Sequence, residues 1–144
     1  MKNLLGGLVG ALSLNVLHET YKRLDAKAPR VDLVGEEALS KVIEHAGYAP
    51  PTGDKLFTAT LAADVISNAL YYSLIGIGNK KDILLRAAVL GTAAGFGALV
   101  LTKPLGLSDA PVTKSSRTKL LTVAWYLTGA MVAGVVIRAL KNKS

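Results

Sequence analysis

The segment LFTATLAADVISNALYYSLIGI, residues Leu56 to Ile77, determines the fold class that the sequence predicts. As an α-helix, a segment of this length extends about 33 Å, and the hydrocarbon core of a bilayer is about 30 Å thick. The segment therefore predicts a membrane-spanning helix. It also contains Asp64 and Asn68 near its middle. Polar side chains at membrane depth face protein or water rather than lipid, so these two residues predict a buried polar site.

The composition agrees with a membrane protein. Of the 144 residues, 51% are hydrophobic and 19% are charged, and the mean hydropathy is +0.39. Soluble domains typically carry about 25% charged residues. The net charge of +7 does not indicate nucleic-acid binding, because the lysines and arginines lie in the connections between apolar runs. The expected partner is the lipid bilayer, with no nucleic acid. The absence of cysteine from the sequence excludes disulfides and thiolate chemistry.

Four apolar runs predict a single all-α membrane domain over residues 1–144, a bundle of four transmembrane helices. The expected spans are residues 4–22, 56–77, 83–101 and 120–140, the first being retained rather than removed as a signal peptide. Residues 29–54 predict an extramembrane loop with a short amphipathic helix, because apolar residues recur there at helical spacing. The first helix is expected to continue to Pro29, and residues 104–119 are expected to form a polar connection.

Small residues predict close helix packing. Gly6 and Gly10 form a GxxxG pair, and Ala87, Gly91 and Gly95 form a ridge at helical spacing. These faces predict a homo-oligomer. The expected location is a bacterial cytoplasmic membrane, and the nearly balanced lysine and arginine counts on the two sides leave the orientation open.

Helical spacing groups the polar residues into two stripes. In the second span, Thr60, Asp64, Ser67, Asn68 and Tyr71 share one stripe. The first span carries a similar stripe near the end that faces the long loop, and both lie on the same side of the membrane by helical rise. They predict a hydrated pocket, centred on Asp64, that binds or transports a proton-coupled ion or small molecule. The predicted binding residues are Asn15, His18, Glu19, Asp64 and Asn68, with Arg86 and Tyr71 as secondary members.

Arg86 enters its span from the opposite side, about 10 Å or more from Asp64 along the membrane normal. The sequence therefore favours Asn68 or Tyr71 as the neighbour of Asp64.

Two other interpretations stay open at this point. The polar residues could form a structural hydrogen-bond cluster in a scaffold or accessory protein, with a protein partner at the 29–54 loop. A lipid-acting enzyme, with Glu19 or Asp64 as acid or base, is the third interpretation. Known catalytic motifs are missing from the sequence: Lys22 stands where an HExxH motif would need its second histidine, and the chain has neither a P-loop nor a GxSxG sequence. No cofactor is predicted, and a metal held by nitrogen and oxygen ligands stays open.

Overall fold

The computed structural model describes residues 1–142, of which about 80% are helical and none lies in a strand. The all-α prediction is therefore confirmed. Two 3₁₀ turns, Leu74–Gly76 and Lys80–Asp82, join the third and fourth helices. The α-helices in chain order are α1 (Lys2–Leu24), α2 (Val31–His45), α3 (Gly53–Ser73), α4 (Ile83–Val100), α5 (Ala110–Thr113) and α6 (Ser116–Asn142).

Helix α1 lies between α3 and α6 and is antiparallel to both. Gly7 packs against the backbone of α3, and Gly10 packs against the backbone of α6. A Cβ atom on Gly10 would lie 2.5 Å from the carbonyl oxygen of Gly129, which is closer than atoms in contact approach. Glycine at these positions lets the helix backbones meet.

Helix α4 packs on a face of α6 next to the one that contacts α1: Gly91 meets Ala130 of α6, whereas Gly10 meets Gly129 and Ala133. A Cβ atom on Gly95 would lie 2.6 Å from Cα of Val123, so the small-residue ridge of α4 fits directly against α6. Helices α3 and α4, although joined by a tight turn, make few contacts with each other. One of these is the hydroxyl of Tyr71, which donates a hydrogen bond of 3.0 Å to the carbonyl of Leu90. The main contacts of the bundle thus run from α3 to α1, from α1 to α6 and from α6 to α4, and α3 meets α4 only loosely.

This packing removes the reason for predicting a homo-oligomer. Gly6 and Gly10 contact α6, and Gly91 and Gly95 of α4 contact an adjacent face of α6. Both predicted glycine faces are therefore covered within one chain. The oligomeric state itself stays a prediction.

Two connections differ from expectation. Helix α1 ends at Leu24, not at Pro29, because the carboxylate of Asp25 accepts a hydrogen bond from the backbone N–H of Lys27 and forms a turn. Helix α6 begins at Ser116 within the segment expected to be a connection. The Ser115 hydroxyl accepts a hydrogen bond from the backbone N–H of Thr118, which is the N-cap arrangement.

Two helices are long and apolar enough to cross a membrane within the described range. They are the Lys80–Val100 segment, which contains α4, and α6, with mean hydropathies of 1.9 and 2.0. Only 22% and 39% of their apolar windows are buried inside the protein, whereas a core helix of a soluble protein is mostly buried. Helices α1 and α3 do not meet the same criterion, so two of the four expected spans are candidates by length and composition and the four-span bundle is not confirmed.

Candidate functional site

A polar pocket lies where α1, α2, α3 and α6 meet. The pocket has a volume of about 40 Å³, measured as the space open to the centre of a water molecule, and one water needs about 10–15 Å³ by the same measure. The pocket is therefore large enough for a few waters or a small ion. Its lining consists of Leu14, Asn15, His18, Glu19, Val31, Asp32, Gly35, Phe57, Thr60, Leu61, Asp64, Trp125 and Tyr126.

Asp64 forms the centre of a hydrogen-bond cluster in this pocket. Its carboxylate accepts a bond of 2.9 Å from Nδ2 of Asn15 on α1 and a bond of 3.0 Å from Nδ2 of Asn68, one turn further along α3. Both donors are neutral amides. Within residues 1–142, no lysine, arginine or histidine nitrogen lies within 4.0 Å of this carboxylate. The negative charge of an ionised Asp64 would therefore have no ion-pair partner there.

Two further polar atoms of the pocket have no hydrogen-bond partner in the described part of the chain: Oγ1 of Thr60 and Nε2 of His18. The two residues are only 5% and 6% exposed. The His18 ring packs against Trp125 with ring centroids 5.4 Å apart. Its Nε2 lies 3.5 Å from Oδ1 of Asp32, at the outer limit of hydrogen-bond distance. Buried polar atoms normally have partners, so these two are free to bind a ligand or water.

An ion-pair network closes the pocket on the α2 side. The Asp32 side chain is only 7% exposed, and its carboxylate lies 3.2 Å from Nζ of Lys22 and 2.8 Å from a guanidinium nitrogen of Arg30. Lys22 also donates a 2.6 Å hydrogen bond to Glu19. Burial alone would raise the pKa of the Asp32 carboxyl. The His18 ring 3.5 Å away, hydrogen bonds from Arg30 and the positive charge of Lys22 outweigh burial and hold this pKa well below its usual range.

The structure places four of the five predicted binding residues in the lining of one pocket, and the fifth, Asn68, contacts it through its hydrogen bond to Asp64. Asn15, Asp64 and Asn68 are joined by hydrogen bonds. His18 and Glu19 also line the pocket, but the Glu19 carboxylate is paired with Lys22 rather than directed at Asp64.

Three other residues lie away from Asp64. Of the two expected neighbours of Asp64, Asn68 contacts its carboxylate, whereas the Tyr71 hydroxyl donates a hydrogen bond to a carbonyl of α4. Ser67 is exposed on the outer side of α3. Arg86 lies at the far end of α3, where it donates hydrogen bonds of 2.9 Å to the carbonyl of Ile75 and 2.7 Å to that of Asn79. Arg86 hydrogen-bonds to backbone carbonyls that follow the end of α3, and these partners hold its side chain away from the pocket.

Sequence reasoning missed Asp32 and Trp125 as members of the pocket. The tripeptide Arg30-Val31-Asp32 stands out beside Pro29, but its partners, His18 and Lys22, lie on the preceding helix. No local spacing reveals that pairing. The sequence pointed to Trp125 only weakly. Trp125 shares a helix face with small residues, but anchoring of its ring at a membrane interface also explains its position.

Comparison with protein families, curated proteins and solved structures finds no match for this chain. The chemistry of the pocket therefore has to be inferred from its own side chains. Among residues 1–142, no three His, Cys, Asp or Glu side chains are close enough together to hold a metal ion. Within this range, the groups able to act on a ligand are the Asp64 carboxylate, the Thr60 hydroxyl and the His18 ring.

Proposed function

We propose that this protein is a small four-span membrane protein that binds a proton or a small cation at Asp64 and transports it. The observation that supports this proposal is the state of the Asp64 carboxylate. It borders a cavity, its hydrogen-bond donors are the amides of Asn15 and Asn68, and it lacks an ion-pair partner within the described range. A carboxylate at membrane depth is costly unless a proton, a cation or water compensates its charge.

The helix packing favours four spans. Helix α1 contacts α6 from Gly6, beside Ile137, to His18, beside Trp125, so it lies at the same depth as α6 along most of its length. If α6 crosses the membrane, α1 therefore crosses it as well. Helix α3 follows α1 in the same way and has 21 residues, which corresponds to about 31 Å.

The outward faces of the two less apolar helices agree with this arrangement. Val16 of α1 is 66% exposed and Ile66 of α3 is 61% exposed, although α1 and α3 carry the polar stripes on their inner faces. Exposed apolar surface spread over all four long helices fits contact with lipid. The membrane of residence and the orientation stay predictions from the sequence.

One observation favours the structural alternative. The bond from Asn15 to Asp64 joins α1 to α3 directly, and hydrogen bonds between membrane helices commonly hold bundles together. In that case the cluster would stabilise the fold without binding a ligand. The pocket beside it and the free Thr60 hydroxyl favour ligand binding.

The two functions differ in how Asp64→Asn behaves. The test is thermal unfolding in detergent from pH 5 to 9, with and without Na⁺, K⁺ and Li⁺. If Asp64 binds a cation, wild type gains about 2.7 kcal/mol at a hundred times the dissociation constant, and Asp64→Asn gains nothing. If a proton is the ligand, the unfolding temperatures of wild type and Asp64→Asn should depend differently on pH in this range.

Asp54→Asn is the matched control, because Asp54 is an exposed carboxylate on the same helix. It should respond as wild type does. If Asp64→Asn and wild type respond alike to every pH and cation, binding at Asp64 is refuted and the structural role is favoured.

A further inference from the structure

A second, larger cavity adjoins the polar pocket. This side cavity lies between α2, α3, α4, α6 and the connection that follows α4. Its volume is about 210 Å³ by the same measure as for the polar pocket. Asp64, Tyr126, Val31 and Gly35 line both the side cavity and the polar pocket. The Asp64 carboxyl is therefore at the junction between a small polar space and a larger apolar one.

The side cavity results from the helix packing. Helices α3 and α4 make few contacts, and α2 covers the space between them at one end. Small residues on the surrounding helices, Ala38, Gly97 and Ala98, leave the space unfilled, and Leu101 and Leu105 make its wall apolar. The cavity is partly open to the outside. A ligand could therefore enter it between α2 and α4.

The side cavity also contains an unsatisfied polar atom. Thr102 lines it and is only 4% exposed, and its hydroxyl has no hydrogen-bond partner among residues 1–142. With Thr60 in the polar pocket, each space has one buried hydroxyl without a partner. Native proteins rarely leave such groups unsatisfied, and both hydroxyls border the space that a ligand at Asp64 would occupy.

Charge and shape together define the ligand class. The Asp64 carboxylate, which has no ion-pair partner in the described range, attracts a cation. The Trp125 and Tyr126 rings line the same pocket, and aromatic rings favour an organic ammonium group through cation–π contact. The apolar wall next to the same carboxylate favours a hydrocarbon chain. We propose that Asp64 binds the ammonium group of an amphipathic organic cation, whose apolar part occupies the side cavity. This inference depends on the proposed function, since it requires Asp64 to bind a cation.

The test titrates the purified protein in detergent with butyl-, hexyl- and octyltrimethylammonium, at measured free concentrations. Trp125 is the only tryptophan of the sequence and lines the pocket, so its fluorescence reports binding. Affinity should rise about fourfold with each methylene added. Octanol, which has the same chain without the charge, should bind about tenfold more weakly.

Two variants locate the ligand. Ala98→Leu places a larger side chain in the side cavity and should lower the affinity for the octyl compound about tenfold or more, with little effect on the butyl compound. Ala93→Leu is the matched control, because Ala93 is exposed on the same helix, and it should bind as wild type does. Asp64→Asn should lower the affinity for all three compounds.

Two results would overturn the inference. If affinity does not depend on chain length, or if Ala98→Leu binds the octyl compound as wild type does, the side cavity is not the binding site for the chain. Binding of Na⁺ or a proton at Asp64 would survive that result. If Asp64→Asn changes neither the response to alkylammonium compounds nor the response to inorganic cations and pH, the proposed function fails together with the inference. Chain length and Ala98→Leu are tested with Asp64 intact, so they are informative even if Asp64→Asn does not fold.

Discussion

The ion-pair network at Asp32 leads to a prediction about stability. In Asp32→Asn, the charges of Lys22 and Arg30 lose the carboxylate that they share. Removing one partner of a buried ion pair costs about 3–5 kcal/mol. The lower end applies here, because Lys22 keeps its bond to Glu19 and the Arg30 side chain is 37% exposed. We expect Asp32→Asn to lower the free energy of unfolding by about 2–3 kcal/mol at pH 7.

The same network gives this loss a pH dependence. The folded-state pKa of Asp32 is depressed, so the network contributes its full stabilisation above the ordinary aspartate pKa of about 3.9 and loses it as the pH falls toward the folded-state pKa. The difference in unfolding free energy between wild type and Asp32→Asn should therefore narrow by about 1 kcal/mol between pH 4 and pH 3. Other carboxylates titrate equally in both proteins and cancel from this difference.

The assay is reversible unfolding of both proteins in detergent at pH 7, 4 and 3. Glu44→Gln, which removes an exposed carboxylate on the same helix as Asp32, is the control and should stay within about 0.5 kcal/mol of wild type. If Asp32→Asn and wild type have the same free energy of unfolding at pH 7, the ion-pair network does not stabilise the fold. A difference that stays constant from pH 7 to pH 3 would refute the depressed pKa.

Two further predictions concern helix packing and one buried hydrogen bond. Gly10→Ala should lower the free energy of unfolding by about 1–3 kcal/mol, because the added Cβ would lie 2.5 Å from a carbonyl of α6. Gly97→Ala, whose Cβ would lie 3.6 Å from the nearest atom, should stabilise by up to about 1 kcal/mol through helix propensity; the same sign for both would contradict this packing. Tyr72→Phe removes a 2.9 Å bond to the carbonyl of Tyr126 and should cost about 1 kcal/mol in the same assay, whereas Tyr48→Phe, at an exposed position, should cost nothing measurable.

Hydropathy and helical periodicity predicted the long helices well, because each one is a long run of residues that is rich in apolar side chains. The third expected span, residues 83–101, is observed as the helix Ile83–Val100. The helix ends were less predictable. The end of α1 is determined by one side-chain bond at Asp25, and the beginning of α6 by one at Ser115. Such local bonds compete with helix continuation and leave little trace in hydropathy.

The order of the helices could not be read from the chain. Helices α3 and α4 follow each other through a short connection, but α4 packs mainly on α6. The glycine ridges showed that close packing occurs without showing which helices meet. Gly10 fits the backbone around Gly129, and Gly95 fits that around Val123, contacts that depend on the shape of both surfaces.

The centre of the candidate site was predictable because depth and helical spacing alone place Asn15 and Asn68 beside Asp64. Its boundary was not. Asp32 reaches the pocket from a helix outside the four expected spans, and the turn before it is fixed by distant contacts: the Thr118 hydroxyl binds the carbonyl of Lys27, and the carbonyl of Pro111 accepts a bond from the N–H of Arg30. Contacts of this range between loops have no periodic signature.

The network around Asp32 also explains why Asp64 lacks an ion-pair partner although Lys22 lies at the same end of the bundle. The Lys22 ammonium group is held by Glu19 and Asp32 and lies 4.7 Å from the centre of the Phe57 ring. These contacts compensate its charge at the wall of the pocket and not at Asp64. Asp64 is then left with neutral donors, beside a cavity large enough for a small ion. A structural cluster would gain from pairing the two charges directly, so their separation favours a binding role for Asp64 over a purely structural one.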